Sequence, residues 1–153
     1  ALAEKCSPTE VELVLVAALF HDTGFLVNAE GHEEESCRLA TQYLPELGFN
    51  SDELNQVSGM IRATKIPQKP LTRLEEILAD ADLDYLGRSD FDAISMTLFE
   101  ELKIRGIVHD LQKWEQIQLT FLGQHQYFTD TAQKERSEQK MKHIERIKQR
   151  NIK

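Results

Sequence analysis

The sequence predicts an all-α fold of about seven helices in one domain over residues 1–153. Capping signals recur before segments with helical apolar spacing, and no segment alternates between apolar and polar residues as a strand would. Glycine and proline are few, with 7 and 4 residues, and 41% of the chain is hydrophobic. A chain of this length buries about two-thirds of its unfolded surface in a single core.

The first helix is predicted to begin at Ser7-Pro8-Thr9-Glu10, a capping box with proline at the first helical position. Residues 11–20 are apolar on nearly all sides, which is typical of a helix buried by several neighbours. Thr23-Gly24 ends this helix. The second helix is predicted over 32–47. Ser51 is predicted to cap a third, which reaches about Thr64.

Lys65 to Pro70 is predicted to be a loop, because neither of its prolines suits a helix interior. A capping box at Thr72 then opens a fourth helix that continues to Gly87. The remaining helices are predicted from Ser89 or Asp90 to Gly106, over 110–122, and as a polar C-terminal helix over 129–153.

The formal charge of −8 argues against nucleic acid or an anionic membrane as the main partner, since both favour clustered Lys and Arg. No apolar run has the length of a membrane span, and no secretory signal is recognisable. Two cysteines make no disulfide framework. We therefore expect a cytoplasmic protein, with the basic C-terminal helix as a solvated face or a homo-oligomer contact.

The apolar first helix ends in His21 and Asp22, where a core helix would normally finish in another leucine. Burying an imidazole and a carboxylate costs several kcal/mol unless they are hydrogen-bonded, ion-paired or bound to a metal. Two interpretations follow. Either the pair belongs to a functional site, or Asp22 caps the next loop and His21 is a satisfied core histidine.

Asp80, Asp82 and Asp84 place three carboxylates within one and a half helical turns. Such charges repel each other unless a cation or basic side chains compensate them. On a continuous helix Asp80 and Asp84 share a face, and Asp82 points away. The alternative to a site is an exposed acidic stripe, paired with Arg62, Lys65 or Arg73.

Imidazole and carboxylate ligands suit a divalent Mn, Fe, Mg, Ni or Zn ion, and thiolates, which a structural zinc prefers, are absent from this set. Water bound to such an ion has a pKa lowered toward neutrality and supplies hydroxide. Hydrolysis of a phosphate ester is the reaction that this arrangement suits best.

At this point the chain resembles the HD-domain superfamily of metal-dependent phosphohydrolases. The His21-Asp22 pair and the later Ala81-Asp82-Leu83 carry the resemblance. Three longer segments are similar to a bacterial subgroup, and the likeness spans Pro8 to about Leu102. These segments are Phe20 to Phe25, the helix with His32-Glu33, Ser36 and Ala40, and Asp80 to Arg88.

The resemblance implies that His21, Asp22 and Asp82 hold the metal ion, with Asp80 as the rival to Asp82. We expect Asp22 also to orient the attacking water. His32 is an outer ligand, a substrate contact or a proton donor to the leaving group. Lys65, Lys69 and Arg88 lie near loops that flank these residues and are candidates for holding the phosphate.

The chain departs from the family pattern at three points. The first metal-binding histidine of the family should precede His21, and no histidine does. Either the chain, which begins at Ala1, lacks an N-terminal helix, or the ligand is lost. Phe25 stands where many members carry a lysine. Only His32 could serve a second metal, so a complete dinuclear site is not expected.

The sequence thus predicts a metal-dependent phosphohydrolase that acts on a small phosphorylated molecule, with nucleotides as the family default. The alternative is a catalytically inactive HD fold used for regulation or ligand sensing. The missing first histidine and the missing lysine favour this alternative.

Overall fold

A computed structural model describes residues 1–150, in which the chain forms two compact units. The first unit is Ala1–Asp82 and the second begins at Leu83. All regular secondary structure within residues 1–150 is helical, so the predicted all-α class is confirmed. That the whole chain is one domain stays a prediction. None of the described helices combines the length and the apolar character that spanning a bilayer requires.

The first unit contains four α-helices and two short 3₁₀-helices. The α-helices are α1 (Pro8–Phe20), α2 (His32–Tyr43), α3 (Ser51–Ala63) and α4 (Arg73–Asp82). The 3₁₀-helices are Thr23–Leu26, directly after α1, and Leu44–Leu47, directly after α2.

Helix α1 begins as predicted, with a reciprocal capping box. The Glu10 backbone N–H donates to Ser7 Oγ, and the Ser7 N–H donates to the Glu10 carboxylate. One face of α1 enters the core of the first unit, where Ala17 is fully buried. The prediction that several neighbours cover the helix is wrong for Leu15 and Leu19, which are 61% and 76% exposed. An all-round apolar composition does not identify which face is covered.

Two helix boundaries in this unit differ from prediction for local reasons. Helix α2 stops at Tyr43, because Pro45 lies in the first turn of the 3₁₀-helix that follows. Asn50, and not Ser51, caps α3, since its Oδ1 accepts from the N–H groups of Asp52 and Glu53. Asparagine and serine are about equally good capping residues, so composition alone did not separate them.

Helix α4 ends at Asp82 and not at Gly87 as predicted. A separate 3₁₀-helix, Asp84–Gly87, opens the second unit. Because the α-helix does not continue, the four-residue spacing that would place Asp80 and Asp84 on one face does not apply. Asp80 is 4% exposed, so the alternative of an exposed acidic stripe is wrong for this residue.

The second unit contains α5 (Phe91–Ile104), α6 (Leu111–Gln124) and α7 (Asp130–Arg150). Asp110 caps α6 by accepting from the Lys113 N–H at 2.7 Å. Helix α7 is polar in composition, yet it buries Ile144 and Ile147 against the core of this unit. One face of α7 therefore packs, and the predicted solvated face accounts for only part of it. The last three residues of the predicted helix, 151–153, lie outside the described residues.

Candidate metal centre

The candidate centre begins where α1 ends. His21 is the C-terminal cap residue, and its N–H donates to the Ala17 carbonyl. Side chains satisfy two of the last carbonyl groups, which have no partner inside the helix. His21 Nδ1 donates to the Ala18 carbonyl at 2.8 Å, and Thr23 Oγ1 donates to the Phe20 carbonyl at 2.7 Å. The first of these bonds assigns the proton to Nδ1 and directs Nε2 away from the helix.

Two carboxylates face the Nε2 atom of His21. Asp22 Oδ2 and Asp82 Oδ1 both lie 3.4 Å from it. The hydrogen bond to Asp82 is the largest cause that raises the pKa of His21 to about 9, against an opposing effect of burial. The charge of Asp22 adds to the increase. Without a metal ion, His21 is therefore an imidazolium held between two carboxylates at neutral pH.

His32, the first residue of α2, faces the other oxygen of Asp22. Its Nε2 lies 3.6 Å from Asp22 Oδ1, and its Nδ1 lies 3.3 Å from the Ala29 carbonyl. The ring of Phe25 stacks on His32 with centroids 3.8 Å apart. Both histidines thus engage Nδ1 with a carbonyl three residues earlier and direct Nε2 toward Asp22.

The alternative role of Asp22 as a cap for the next turn is wrong, because its side chain makes no capping hydrogen bond there. Its carboxylate is 58% exposed, whereas the His21 and His32 side chains are 19% and 18% exposed. Asp22 is therefore the most accessible group among these three. A water molecule or a substrate oxygen could approach it from solvent.

The chemistry of these donors fits a divalent ion. Metal-bound histidines usually donate their other ring N–H to a carbonyl or carboxylate, as His21 does. Two ligand atoms on one ion with bonds of about 2.0–2.2 Å lie about 3.0–3.5 Å apart, and the separations of 3.4 Å from His21 Nε2 are of this size.

No group of three or more His, Cys, Asp or Glu side chains within residues 1–150 is already arranged as a set of metal ligands. The carboxylates of Asp22 and Asp82 instead surround the imidazolium of His21. An ion would have to replace the proton on Nε2. The ligand roles of His21, Asp22 and Asp82, and the rivalry of Asp80, stay predictions.

The family model described as HD domain matches residues 1–84 of this chain. The chain belongs to the HD-domain family. The matched segment includes the whole first unit and therefore all the residues of the candidate centre. HD domains generally bind divalent metals and define a superfamily of metal-dependent phosphohydrolases. No curated protein and no solved structure matched the chain.

The residues predicted to hold phosphate lie in different units of this HD-domain protein. Lys65 follows α3 and lines an open pocket of about 360 Å³ together with Arg62 and Lys69. Arg88 belongs to the second unit, where its guanidinium group binds Asp90 and lies 3.7 Å from Asp84. Phosphate binding by Lys65, Lys69 or Arg88 stays a prediction.

The sequence analysis missed two residues of α2. Glu33 was named only as part of the resemblance and was given no role, yet it is only 8% exposed and lies 3.8 Å from His32 Nε2. Ser36 entered only through the resemblance, and it is fully buried against the turn at the end of α1. A signal was available for Ser36, because it lies four residues after His32 and therefore on the same helical face.

Proposed function

We propose that this HD domain is a metal-dependent phosphohydrolase that acts on a small phosphate ester, with nucleotides as the first class to test. One observation carries the proposal. Two imidazoles direct Nε2 at the two oxygens of Asp22, and one of them also meets Asp82. Family membership does not favour the alternative of a catalytically inactive regulatory domain.

In this proposal His21, Asp22 and Asp82 hold one divalent ion. A bound ion of this kind lowers the pKa of a coordinated water and neutralises phosphate charge. Two carboxylates and one imidazole nitrogen are suitable ligands for Mn, Fe, Mg, Ni or Zn, and they do not select among these metals. The Ala18 carbonyl keeps the His21 ring in the tautomer that presents Nε2.

In the proposed reaction Asp22 orients the attacking water and His32 serves as the general acid. Asp22 has an exposed carboxylate next to the centre and orients the attacking water by accepting its hydrogen bond. His32 donates a proton to the leaving-group oxygen. The stack of Phe25 on His32 restricts the ring and keeps Nε2 on the side of Asp22.

Lys65 is the proposed phosphate-binding residue of the first unit. Its ammonium group forms no ion pair within the described residues 1–150, so no ion pair has to break when a phosphate binds, although Glu75 lines the same pocket. We expect Lys65→Ala to raise KM for a phosphate ester and to change kcat little. Lys69→Ala removes the other lysine that lines this pocket, and the comparison shows which of the two makes the contact.

The decisive experiment measures metal content and hydrolysis in the same samples. The purified protein is reconstituted separately with each of the five metals. It is then assayed with p-nitrophenyl phosphate, bis(p-nitrophenyl) phosphate and nucleoside monophosphates. The proposal expects one equivalent of metal and turnover of at least one ester. Asp22→Ala and Asp82→Ala should lose both properties.

Asp52→Ala is the matched control, because Asp52 is an exposed carboxylate in the first turn of α3. This variant should keep the metal content and the activity of the wild type. Undiminished activity in Asp22→Ala or Asp82→Ala would refute the assignment. A wild-type protein that takes up none of the five metals would instead support the catalytically inactive alternative.

A further inference from the structure

The hydroxyl group of Ser36 connects α2 to the residues on both sides of Asp22. Ser36 Oγ donates to the His21 carbonyl at 2.7 Å and accepts from the Gly24 N–H at 2.8 Å. Ser36 is fully buried, so no solvent molecule can replace either bond without rearrangement. One side chain thus satisfies a carbonyl before Asp22 and an amide after it.

The backbone of α2 also lies unusually close to this turn. A Cβ atom on Gly24 would lie 1.9 Å from the His32 carbonyl oxygen. Only glycine permits this approach, which brings the first turn of α2 against the residues that follow α1. The Ser36 bonds and this backbone contact act on the same residue, Gly24, from two positions of one helix.

The side chain of Asp22 depends on this backbone for its orientation. Asp22 has φ −104° and ψ 0°, outside the helical range, and its carboxylate makes no capping hydrogen bond. Its two oxygens face His21 and His32 at distances of 3.4 and 3.6 Å. A small rotation of the turn would therefore move both oxygens away from the imidazoles, and the Asp22 side chain makes no capping hydrogen bond that would oppose it.

We propose that Ser36 is a positioning residue of the metal centre, which fixes the turn that presents His21 and Asp22. The inference rests on the proposed function of these two residues as metal ligands. Ser36 acts through hydrogen bonds to their backbone and does not itself touch metal or substrate. Loss of its hydroxyl group should weaken metal binding more than a comparable loss elsewhere in the protein.

The test compares Ser36→Ala with Ser95→Ala. Ser95 is also a buried serine (5% exposed), and its Oγ accepts from Trp114 and Gln118 within the second unit. Metal dissociation constants are measured by titration calorimetry without substrate, and unfolding temperatures by circular dichroism. Both variants should lower the unfolding temperature. Only Ser36→Ala should weaken metal binding, by about 10- to 100-fold.

A second variant and a metal-free measurement complete the test. Ser36→Cys keeps the shape of the side chain with weaker hydrogen bonds, so its metal affinity should lie between those of the wild type and Ser36→Ala. Hydrogen exchange of the Gly24 amide in the metal-free protein should accelerate in the same order. If Ser36→Ala leaves the metal affinity within about twofold of the wild type, the inference is overturned, whatever the rate of Gly24 exchange.

The same measurements separate this inference from the proposed function. If the wild type binds no metal, the proposed function fails, and Gly24 exchange together with the ring nitrogen resonances of His21 decides whether Ser36 holds the turn. If the wild type binds metal and Ser36→Ala binds it equally well, the proposed function stands and the positioning role is refuted.

Discussion

Histidine caps the C-terminal ends of both α1 and α6, but the two rings differ in charge at neutral pH. His21 and His125 are both C-terminal cap residues, and each cap N–H donates to a carbonyl four residues earlier. The pKa of His21 is raised to about 9, and the pKa of His125 is lowered to about 4. At neutral pH without metal, the first ring is therefore charged and the second is neutral.

The difference follows from what each ring meets. His21 faces the carboxylates of Asp22 and Asp82. Burial is the main cause of the low pKa of His125, and the charge of Lys140 adds to it. Lys140 Nζ donates to the His125 carbonyl at 2.5 Å and lies 3.2 Å from Nδ1. A helix C-terminus favours a cation by up to about 2 kcal/mol, and at α6 Lys140 takes that position.

The backbone around the two helix ends also differs. At the end of α1, Gly24 contacts the backbone of α2 so closely that no other residue fits. At the end of α6, a Cβ atom added to Gly123 would meet no other group within 4 Å. The first helix end is built around a close tertiary contact, whereas the second has room to vary.

Gly24→Ala should have the largest effect, a loss of stability of the folded protein. The new Cβ atom would lie 1.9 Å from the His32 carbonyl oxygen, and because this neighbour is backbone, it cannot rotate away. We expect a loss of about 3 kcal/mol in the free energy of unfolding, measured by urea denaturation. Gly123→Ala is the control and should gain about 0.5–1 kcal/mol, since it lies inside α6 with open space. Equal effects at both glycines would contradict the comparison.

Asp82→Asn should produce the next largest effect, at the charged histidine. The pKa of His21, followed by NMR in the metal-free protein, should fall from about 9 toward 6.5, because the largest cause of the increase is removed. Under the proposed ligand role of Asp82, metal affinity should fall by about 100-fold or more, since a direct ligand matters at least as much as its supporting residues. Asp52→Asn should change neither quantity. An unchanged pKa for His21 would contradict the role of Asp82.

The low pKa of His125 should make the free energy of unfolding depend on pH in the acid range. The folded pKa of His125 is about 4 and the unfolded value is about 6.5, so between these values the unfolded chain binds the extra proton. The contribution of His125 to the free energy of unfolding is thus fully present above about pH 6.5 and is lost as the pH falls to about 4. Allowing for partial exposure of the ring, we expect about 1–2 kcal/mol. His125→Gln should remove this part of the pH dependence of urea unfolding, and an identical profile would contradict it.

The smallest expected effect tests the cause of the low pKa of His125. Lys140→Met keeps much of the side-chain volume and removes the charge, so the pKa of His125 should rise. It should not reach 6.5, because burial is the larger cause and remains. The readout is the NMR titration of His125. Lys142→Met, which removes an exposed lysine paired with Glu138, should leave that titration unchanged. A full return to 6.5 would show that Lys140 outweighs burial.

Sequence analysis found the parts of the candidate centre that depend on local signals. The capping box at Ser7 and the polar step at His21 and Asp22 are visible in single segments of the chain. His21 and Asp82 pair because α1 and α4 end side by side, which no single segment of the chain reveals. The HD-domain resemblance supplied that pairing, and the family match confirmed the membership.

The features that escaped prediction depend on tertiary packing. Glu33 has the sequence signature of an ordinary first-turn acid, and only the packing of α2 within the folded first unit buries it. The end of α4 at Asp82 has no strong breaker in the sequence until Gly87. Composition also does not reveal which face of a helix is covered. Leu15 and Leu19 of the apolar α1 are exposed, whereas Ile144 and Ile147 of the polar α7 are buried.

The carbonyl partners of the two imidazoles have a consequence for assembly. Ala18 and Ala29 each lie three residues before the histidine that they contact, so each short segment selects the tautomer of its own ring. The nitrogen that each ring presents to Asp22 is thus set by a contact within its own segment. A fluctuation that separates α4 from α1 would cost the centre a carboxylate, and both rings would still present the same nitrogen when the helix returned.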